Sequence, residues 1–382
     1  MPVSRSGSID WRPRQREAAR ALEAELRSAN PDALARAVEI EGRRRLDAFL
    51  VGLERYRRHP YRRDLDDPPV AWAEGSTRLL DYTRGGSKDG ARDGAPVLLV
   101  PSLINRGYIL DLSSRRSFAR WLARRGLRPY LVDWGRPGDM ERGFDLTDYI
   151  AGRLEQAFQA VLEATGGPVA VLGYCMGGGL ALALALRRQD AVAGLALLAT
   201  PWDFHAERPE QAKALGAAAA LLEPQIAALG ELSTDIIQTL FAAIDPFLAE
   251  RKFAAFARLD PKSARARDFV ALEDWLNDGV PLAGPVAREC LAGWYGDNAL
   301  ARGEWRIAGE EVLPRRFEGP ALSVIPMGDR IVPPGSAEAL ARALPHSETM
   351  RPKVGHIGMM VGRGVTTAIW TPIADWLGRL FS

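Results

Sequence analysis

Gly173-Tyr174-Cys175-Met176-Gly177 decides the fold of this chain, because it places a cysteine between a predicted strand and a predicted helix. The apolar run over residues 168–172 predicts a short buried strand, and residues 178–186 predict a helix of small residues. A nucleophile on such a turn has a strained backbone, and side chains two positions before or after it would collide with the neighbouring strand and helix. A thiol at this position predicts acyl transfer through a thioester.

The segments around this turn alternate between predicted strands and predicted helices. Strands are predicted over residues 70–73, 77–82, 96–100, 128–133, 193–198, 321–325 and 349–354, and helices over 116–124, 145–164 and 364–380. This alternation predicts a mostly parallel sheet covered by helices. A strand, a nucleophile and a helix in this setting are typical of the α/β-hydrolase fold.

Two segments of the chain depart from this alternation. Residues 1–67 are rich in Arg and Glu and predict helices over 15–29 and 31–56. Residues 201–318 are helix-rich, with helices predicted over 210–222, 234–245, 268–276 and 285–294. Hydrolases insert a cap at this point of the chain. We therefore expect an N-terminal helical segment over 1–67 and a catalytic domain over 68–382 with a cap inserted over about 201–318.

Composition excludes several classes of function. With 382 residues, 47% of them hydrophobic, the chain can bury a large core, and its net charge of +2 does not favour a nucleic-acid partner. Its two cysteines form no disulfide framework and lack metal-ligand spacing, so we expect a reducing compartment and no metal site. No apolar run reaches the roughly 18 residues of a membrane span, and no apolar segment follows the first basic residues. The sequence predicts a cytoplasmic protein.

The order of candidate residues along the chain predicts a catalytic triad. Hydrolases of this fold place an acid and then a histidine after the nucleophile. His356 lies just after the last predicted strand, where such a histidine is expected, and Asp329 follows the strand before it. Asp297 is a competing carboxylate, but it precedes that strand. The remaining histidines, in a charged linker, at the start of the cap and in a loop, are His59, His205 and His346.

Further motifs give the chain a resemblance to the polyhydroxyalkanoate synthases. They are Pro-Ser-Leu-Ile-Asn-Arg over 101–106, Val-Asp-Trp-Gly over 132–135, Gly-Tyr-Cys-Met-Gly-Gly over 173–178, Trp-Asp-Phe over 202–204, Asp-Trp-Leu-Asn-Asp over 274–278, Gly-Asp-Arg-Ile-Val-Pro over 328–333 and Gly-His-Ile-Gly over 355–358. The resemblance covers about residues 70–380. The motifs and the length look most like the short class III catalytic subunits, whereas the segment up to residue 67 matches neither the short nor the long synthases.

The resemblance implies an acyltransferase that polymerises (R)-3-hydroxyacyl-CoA into polyester and releases CoA through a thioester on Cys175. No cofactor is expected, because CoA is part of the substrate. His356 would act as general base, and Asp329 would either orient His356 or help activate the 3-hydroxyl of the incoming unit. The partners implied are the growing polyester chain or the surface of its granule and a second copy of the chain, and a second synthase subunit is left open.

Weaker assignments rest on position alone. The backbone N–H groups of Met176 and Leu103 are expected to form the oxyanion hole. Asn105 and Arg106 are candidates for contacts to CoA phosphate, with a loop-capping role as the alternative. Trp202 is a candidate for the lining of an acyl tunnel, with a place in the cap core as the alternative.

Two other classes of function remain compatible with the motifs. One is a hydrolase, either a depolymerase of the same polyester or an acyl-CoA thioesterase, which would release free hydroxy acid. The other is a silent granule or partner-binding protein that retains the fold. Cysteine at the nucleophile position favours transfer over hydrolysis, because serine is the usual residue for net hydrolysis. The second cysteine, Cys290, is expected to be buried and inert.

Overall fold

The computed structural model of the protein describes residues 16–83 and 94–382. Its strands are β1 (Val70–Glu74), β2 (Thr77–Asp81), β3 (Pro96–Val100), β4 (Asp111–Ser113), β5 (Arg116–Ser117), β6 (Arg128–Asp133), β7 (Val169–Tyr174), β8 (Val192–Leu198), β9 (Glu231–Leu232), β10 (Leu282–Ala283), β11 (Arg306–Ile307), β12 (Glu310–Glu311), β13 (Ala321–Val324) and β14 (Ser347–Met350).

Its α-helices are α1 (Arg16–Ser28), α2 (Pro31–Arg57), α3 (Phe118–Arg124), α4 (Glu155–Thr165), α5 (Met176–Arg187), α6 (Pro209–Leu229), α7 (Thr234–Ala242), α8 (Leu248–Phe256), α9 (Ala264–Asn277), α10 (Gly284–Arg288), α11 (Ala299–Arg302), α12 (Pro334–Ala343), α13 (Gly358–Val361) and α14 (Thr371–Arg379). Three π-helical segments adjoin them, over Asp148–Leu154, Glu289–Gly296 and Thr366–Trp370. None of the helices in the described part of the chain is long and apolar enough to cross a membrane.

A mostly parallel sheet has the strand order β1-β2-β6-β3-β7-β8-β13-β14. The strands from β6 to β14 in this order run parallel to their neighbours, and β1 and β2 form a hairpin that joins β6 antiparallel. Because the parallel strands end at one edge of the sheet, the loops that follow β3, β7 and β13 lie along a common edge. The predicted α/β-hydrolase architecture is confirmed.

Central strands of this sheet are buried on both faces. Along β7, Val169 and Val171 join the apolar cluster on one face, and Ala170 and Leu172 join the cluster on the other. All four side chains are fully buried. Such strands are near-continuous apolar runs rather than alternating ones, which explains why the run before Cys175 predicted a strand correctly.

The chain divides into two compact units. One contains the described residues up to 59 together with 247–261, and the other contains 60–246 and 262–382. In the first unit, α2 begins at Pro31 with the Asn30 side chain accepting from two backbone N–H groups, and a side chain in place of Gly52 would clash with the Phe253 carbonyl of α8. The expected boundary at residue 67 and the expected cap remain predictions, and residues 1–15 lie outside the described part.

Candidate active site

Cys175 lies between β7 and α5 on the turn that the sequence predicted. Its backbone has φ 57° and ψ −130°, a conformation that non-glycine residues rarely adopt. A Cβ at Gly173 would clash with Gly178 of α5, and a Cβ at Gly177 would clash with the Val100 carbonyl at the end of β3. The turn is therefore sterically closed to larger residues on both sides of the cysteine, as expected, and Cys175 itself is only partly buried.

His356 and Asp329 come together at the same edge of the sheet. His356 Nδ1 lies 2.6 Å from Asp329 Oδ2, and both residues are buried. The other carboxylate oxygen of Asp329 accepts from the backbone N–H groups of Ile331 and Val332 at 2.8 and 3.0 Å. These bonds fix the carboxylate, and the carboxylate in turn orients the imidazole with Nε2 free to face another group.

Electrostatics couple His356 to Cys175. Burial opposes the charged form of the imidazole, but the negative charge of Cys175 and hydrogen bonds to Asp329 and to Cys175 outweigh it and raise the pKa of His356 to about 10. The imidazole therefore holds its proton at neutral pH when the thiol is ionised. An imidazolium beside an ionised thiol is the reactive arrangement of a cysteine nucleophile. The structure thus brings the three predicted triad residues together, and their catalytic roles stay predictions.

The two residues expected to supply oxyanion N–H groups lie beside the turn. Met176 is the first residue of α5 and is buried. Leu103 is buried in the loop after β3, whose first residues touch Gly177. Both backbones therefore lie at the carboxyl edge of the sheet next to Cys175, and their role in binding an oxyanion stays a prediction.

The residues expected to contact substrate occupy two different surroundings. Asn105 has φ 67°, and the Arg106 carbonyl accepts from the indole of Trp275 at 2.7 Å, so the loop that holds both is tightly folded. The Arg106 guanidinium lies 3.6 Å from an oxygen of Asp278. Trp202 is buried and packs edge-to-face against Trp305, an arrangement that fits both the lining of an acyl tunnel and a place in the cap core.

Two tyrosines near the nucleophile were missed by the sequence analysis. The Tyr174 hydroxyl donates to the His356 carbonyl at 3.3 Å, and burial, together with the charges of Cys175 and Asp329, raises the pKa of Tyr174. Burial and the charges of the two cysteines raise the pKa of Tyr295 as well. Tyr174 was available as the second residue of the motif, but nothing in the sequence near Tyr295 connects it with Cys175.

The competing candidates lie elsewhere. His205 Nε2 lies 2.8 Å from the Tyr295 carbonyl, and Asp297 is exposed. His59 belongs to the first compact unit, where its Nε2 lies 2.9 Å from the Pro261 carbonyl. Among the described residues, no group of acidic, histidine and cysteine side chains could hold a metal ion. The hydrogen bond to His356 therefore favours Asp329 over Asp297 as the acid.

Comparison with known proteins shows the fold and the family of the chain. The family model described as "alpha/beta hydrolase fold" matches residues 95–363, so the chain is an α/β-hydrolase-fold protein. The poly(3-hydroxyalkanoate) polymerase subunit PhaC of Synechocystis sp. is 31% identical over 295 residues, which cover 74% of this chain and 78% of that protein. The chain therefore belongs to the family of poly(3-hydroxyalkanoate) polymerase subunits, as its motifs predicted.

Other relatives carry the same description. PhaC of Allochromatium vinosum is 28% identical over 316 residues, covering 81% of this chain and 88% of that protein. PhaC of Haloferax mediterranei is 29% identical over 324 residues. The chain spans 63% of the length of the Haloferax mediterranei protein and 66% of that of its Haloarcula marismortui counterpart.

Solved structures share the fold. A soluble variant of monoglyceride lipase from Saccharomyces cerevisiae superposes with a TM-score of 0.55 at 15% identity and covers 85% of this chain and 99% of its own. The putative non-heme bromoperoxidase BpoC of Mycobacterium tuberculosis gives a TM-score of 0.52 at 15% identity, covering 84% of this chain and 100% of its own. At such identities the likeness concerns the fold alone.

Proposed function

We propose that the protein is a polyhydroxyalkanoate synthase, which transfers (R)-3-hydroxyacyl groups from CoA onto a growing polyester through a thioester on Cys175. The observation that carries the proposal is the buried Asp329–His356 hydrogen bond beside a cysteine on the β7–α5 turn. The polymerase relatives support the choice of substrate class.

The first half of the reaction loads the enzyme. The Cys175 thiolate attacks the thioester carbonyl of the acyl-CoA, and the N–H groups of Met176 and Leu103 stabilise the oxyanion that forms. The carbon–sulfur bond to CoA then breaks, and the departing CoA sulfur takes the proton held by His356. The product is an acyl thioester on Cys175 and free CoA.

The second half extends the chain. His356, now neutral, accepts the proton of the 3-hydroxyl of an incoming acyl-CoA, and that oxygen attacks the acyl thioester. An ester bond forms, the bond to the Cys175 sulfur breaks, and the thiolate is regenerated beside the imidazolium. The extended chain, now a CoA thioester, reloads Cys175 and releases CoA. Asp329 holds His356 in orientation throughout.

The same proposal assigns the substrate contacts, the cellular location and the assembly of the enzyme. Asn105 and Arg106 contact the CoA part of the substrate, and Trp202 lines the acyl side. No cofactor takes part. The enzyme works at the surface of polyester granules in the cytoplasm as a homodimer, either alone or with a second synthase subunit.

One experiment tests this function. Purified protein is incubated with (R)-3-hydroxybutyryl-CoA, alone and with a class III second subunit, and free CoA, polymer and free hydroxy acid are measured together. CoA released with polymer is the expected result. CoA released with an equal amount of free acid would replace the synthase by a thioesterase, and no CoA release in either mixture would leave a silent member of the family. The same incubation with the Cys175→Ala variant should release no CoA. The Cys290→Ala variant is the matched control for that substitution.

A further inference from the structure

The first half of helix α2 is exposed on every side. The second half packs against α8, where the rings of Phe49 and Phe253 meet edge-to-face with their centroids 5.9 Å apart. Residues 31–40, in contrast, are all exposed. Most helices in proteins are stabilised by packing of one face rather than by intrinsic propensity. The exposed half of α2 therefore indicates a surface that another element covers.

One face of α2 carries a stripe of apolar residues four positions apart. Its apolar members, with the exposed fraction of each, are Leu34 (36%), Val38 (64%), Leu46 (54%) and Leu50 (49%). Gly42 occupies the central position of the same row. Residues four apart on a helix are neighbours on its surface, so these five residues form one continuous row. Single exposed apolar residues are common, whereas a row of them is typical of a contact surface.

Gly42 lies at the centre of this stripe without a contact that requires glycine. Glycine destabilises the middle of a helix relative to alanine, because it loses more conformational freedom on folding. A Cβ at Gly42 would meet nothing within 4 Å among the described residues. At Gly52, further along the same helix, a Cβ would clash with the Phe253 carbonyl of α8. Glycine thus admits a close helix at Gly52, and Gly42 offers a second helix the same approach.

The stripe has the same residue types in both directions from Gly42. Val38 and Leu46 lie four residues before and after it, and Leu34 and Leu50 lie eight residues before and after it. A second copy of α2 that runs antiparallel and crosses at Gly42 therefore places Val38 of each copy beside Leu46 of the other. A two-fold interface requires a self-complementary patch of this kind.

The charges on the two flanks of the stripe select the antiparallel direction. Glu39 and Arg43 lie on one flank and are hydrogen-bonded at 2.6 Å, and Glu41 and Arg45 lie on the other at 2.8 Å. In an antiparallel crossing each flank meets the same flank of the second copy in reversed order. Glu39 then faces Arg43 of the second copy, and Glu41 faces Arg45. A parallel pairing would instead bring Glu39 to Glu41 and Arg43 to Arg45.

The ion pairs within α2 leave these side chains available to a partner. The Glu39 and Arg43 side chains are 60% and 76% exposed, and the Glu41 and Arg45 side chains are 43% and 61% exposed. Ion pairs as exposed as these contribute little to stability, and arginine has donors for a second carboxylate. Charges that flank an apolar seam set the partner and the orientation of paired helices.

We propose that the stripe is the interface between two copies of the chain, which pair through α2 in an antiparallel crossing at Gly42. The inference rests on the proposed function only in that it specifies the homodimer given there, and it uses no catalytic step. A crossing of two helices buries less than the roughly 1,600 Å² of a standard interface. We therefore expect the dimer to dissociate at about micromolar concentration.

The first test replaces the central glycine. Sedimentation velocity of the full chain from about 0.1 to 100 µM gives the dissociation constant of the dimer. Gly42→Gln prevents the close approach with a side chain that helices accept and that adds no apolar surface, so we expect it to raise this constant about tenfold or more. Ala37→Gln is the matched control, because Ala37 is exposed on the opposite side of α2, and it should leave the constant unchanged.

The second test mixes two charge variants. Glu39→Arg with Glu41→Arg makes both flanks basic, and Arg43→Glu with Arg45→Glu makes both flanks acidic. Each variant alone should be monomeric at concentrations where the wild-type chain is dimeric, because like charges then face each other across the crossing. An equimolar mixture of the two should dimerise again. Glu348→Arg mixed with Arg379→Glu, which alter an exposed ion pair away from α2, is the control and should change nothing.

The remaining outcomes overturn the assignment. A dimer that Gly42→Gln and both charge variants leave intact uses another surface. A chain that is monomeric at all these concentrations has no such interface, and binding of a class III second subunit or of polyester granules through the stripe would assign it to that partner instead. CoA release from (R)-3-hydroxybutyryl-CoA is measured in the same samples. Dimerisation as expected without CoA release leaves the interface in place and removes the polymerase proposal, and CoA release from a monomer does the opposite.

Discussion

The two cysteines of the chain occupy opposite environments. Cys175 lies on a strained turn, partly accessible, and its charge contributes to the raised pKa of His356. Cys290 lies in the π-helical segment Glu289–Gly296, where burial and the neighbouring carboxylate of Glu289 raise the pKa of its thiol. The same side chain is thus expected to be a nucleophile in one place and an inert apolar group in the other.

The difference teaches that position relative to the sheet, rather than residue type, makes the nucleophile. Cys175 follows the carboxyl end of β7, where loops from neighbouring strands bring an acid and a histidine within reach. Cys290 sits among apolar neighbours, and burial raises the pKa of adjacent Glu289 to about 7, a second sign of a poorly solvated environment. We therefore expect substitution of Cys175 to change activity and substitution of Cys290 to change only stability.

The largest expected effect separates the two cysteines by activity. Cys175→Ala should reduce CoA release from (R)-3-hydroxybutyryl-CoA to background, a loss of roughly a million-fold if it resembles nucleophile removal elsewhere. Cys175→Ser should leave at most slow turnover, because a hydroxyl is a weaker nucleophile than an imidazole-paired thiolate. Full activity in Cys175→Ala would refute the thiol mechanism, whereas Cys290→Ala should keep the wild-type rate.

The second prediction has a smaller effect and tests the Asp329–His356 pair, which supports Cys175 and not Cys290. Asp329→Asn should lower CoA release by about a hundredfold to ten-thousandfold. The Asp329 hydrogen bond raises the pKa of His356, so its loss lowers that pKa, and the alkaline fall in rate should move from near pH 10 to a lower pH. A pH–rate profile measures both effects. Asp297→Asn is the control, and an unmoved alkaline limb in Asp329→Asn would contradict the coupling.

A third prediction concerns the shape of the turn. Gly173→Ala should destabilise the fold by about 1–3 kcal/mol, because the added methyl group clashes with the backbone of α5. Gly152→Ala, at a helical position with open space around it, should be neutral or slightly stabilising. Urea unfolding followed by circular dichroism gives both values. Equal stability of the two variants would show that the turn can relax.

The smallest effect belongs to the second cysteine. Cys290→Ala should cost about 1 kcal/mol of unfolding free energy, because it removes a buried sulfur from an apolar cluster. Iodoacetamide should label Cys175 in the folded protein and reach Cys290 only after denaturation, which mass spectrometry of peptides can follow. Rapid labelling of Cys290 in the folded state would mean that its segment opens.

Local patterns predicted the turn and the family, because both depend on short motifs. The strand before Cys175, the glycines around it and the order Cys175, Asp329, His356 can all be read without knowing the fold. The pairing of Asp329 with His356 was inferred from chain order, and the structure supports it with a hydrogen bond across 27 residues of chain. Their roles in catalysis stay predictions.

Other features depend on packing that local patterns do not contain. The helix predicted over 210–222 ends ahead of Pro224, but α6 continues through the proline to Leu229, with Ile226 fully buried. Burial of Ile226 offsets part of the cost of an internal proline, about 3 kcal/mol. The helices α8 and α12 were not predicted at all.

The backbone of Cys175 is tied to the strands on both sides of β7. Its N–H donates to the Leu198 carbonyl at the end of β8 at 2.8 Å, and Gly177 lies against the end of β3. A sulfur anchored in this way stays stationary while successive acyl units arrive. In the proposed reaction the polyester chain therefore moves instead of the sulfur. Each added unit displaces the earlier units away from Cys175, so the enzyme extrudes its product.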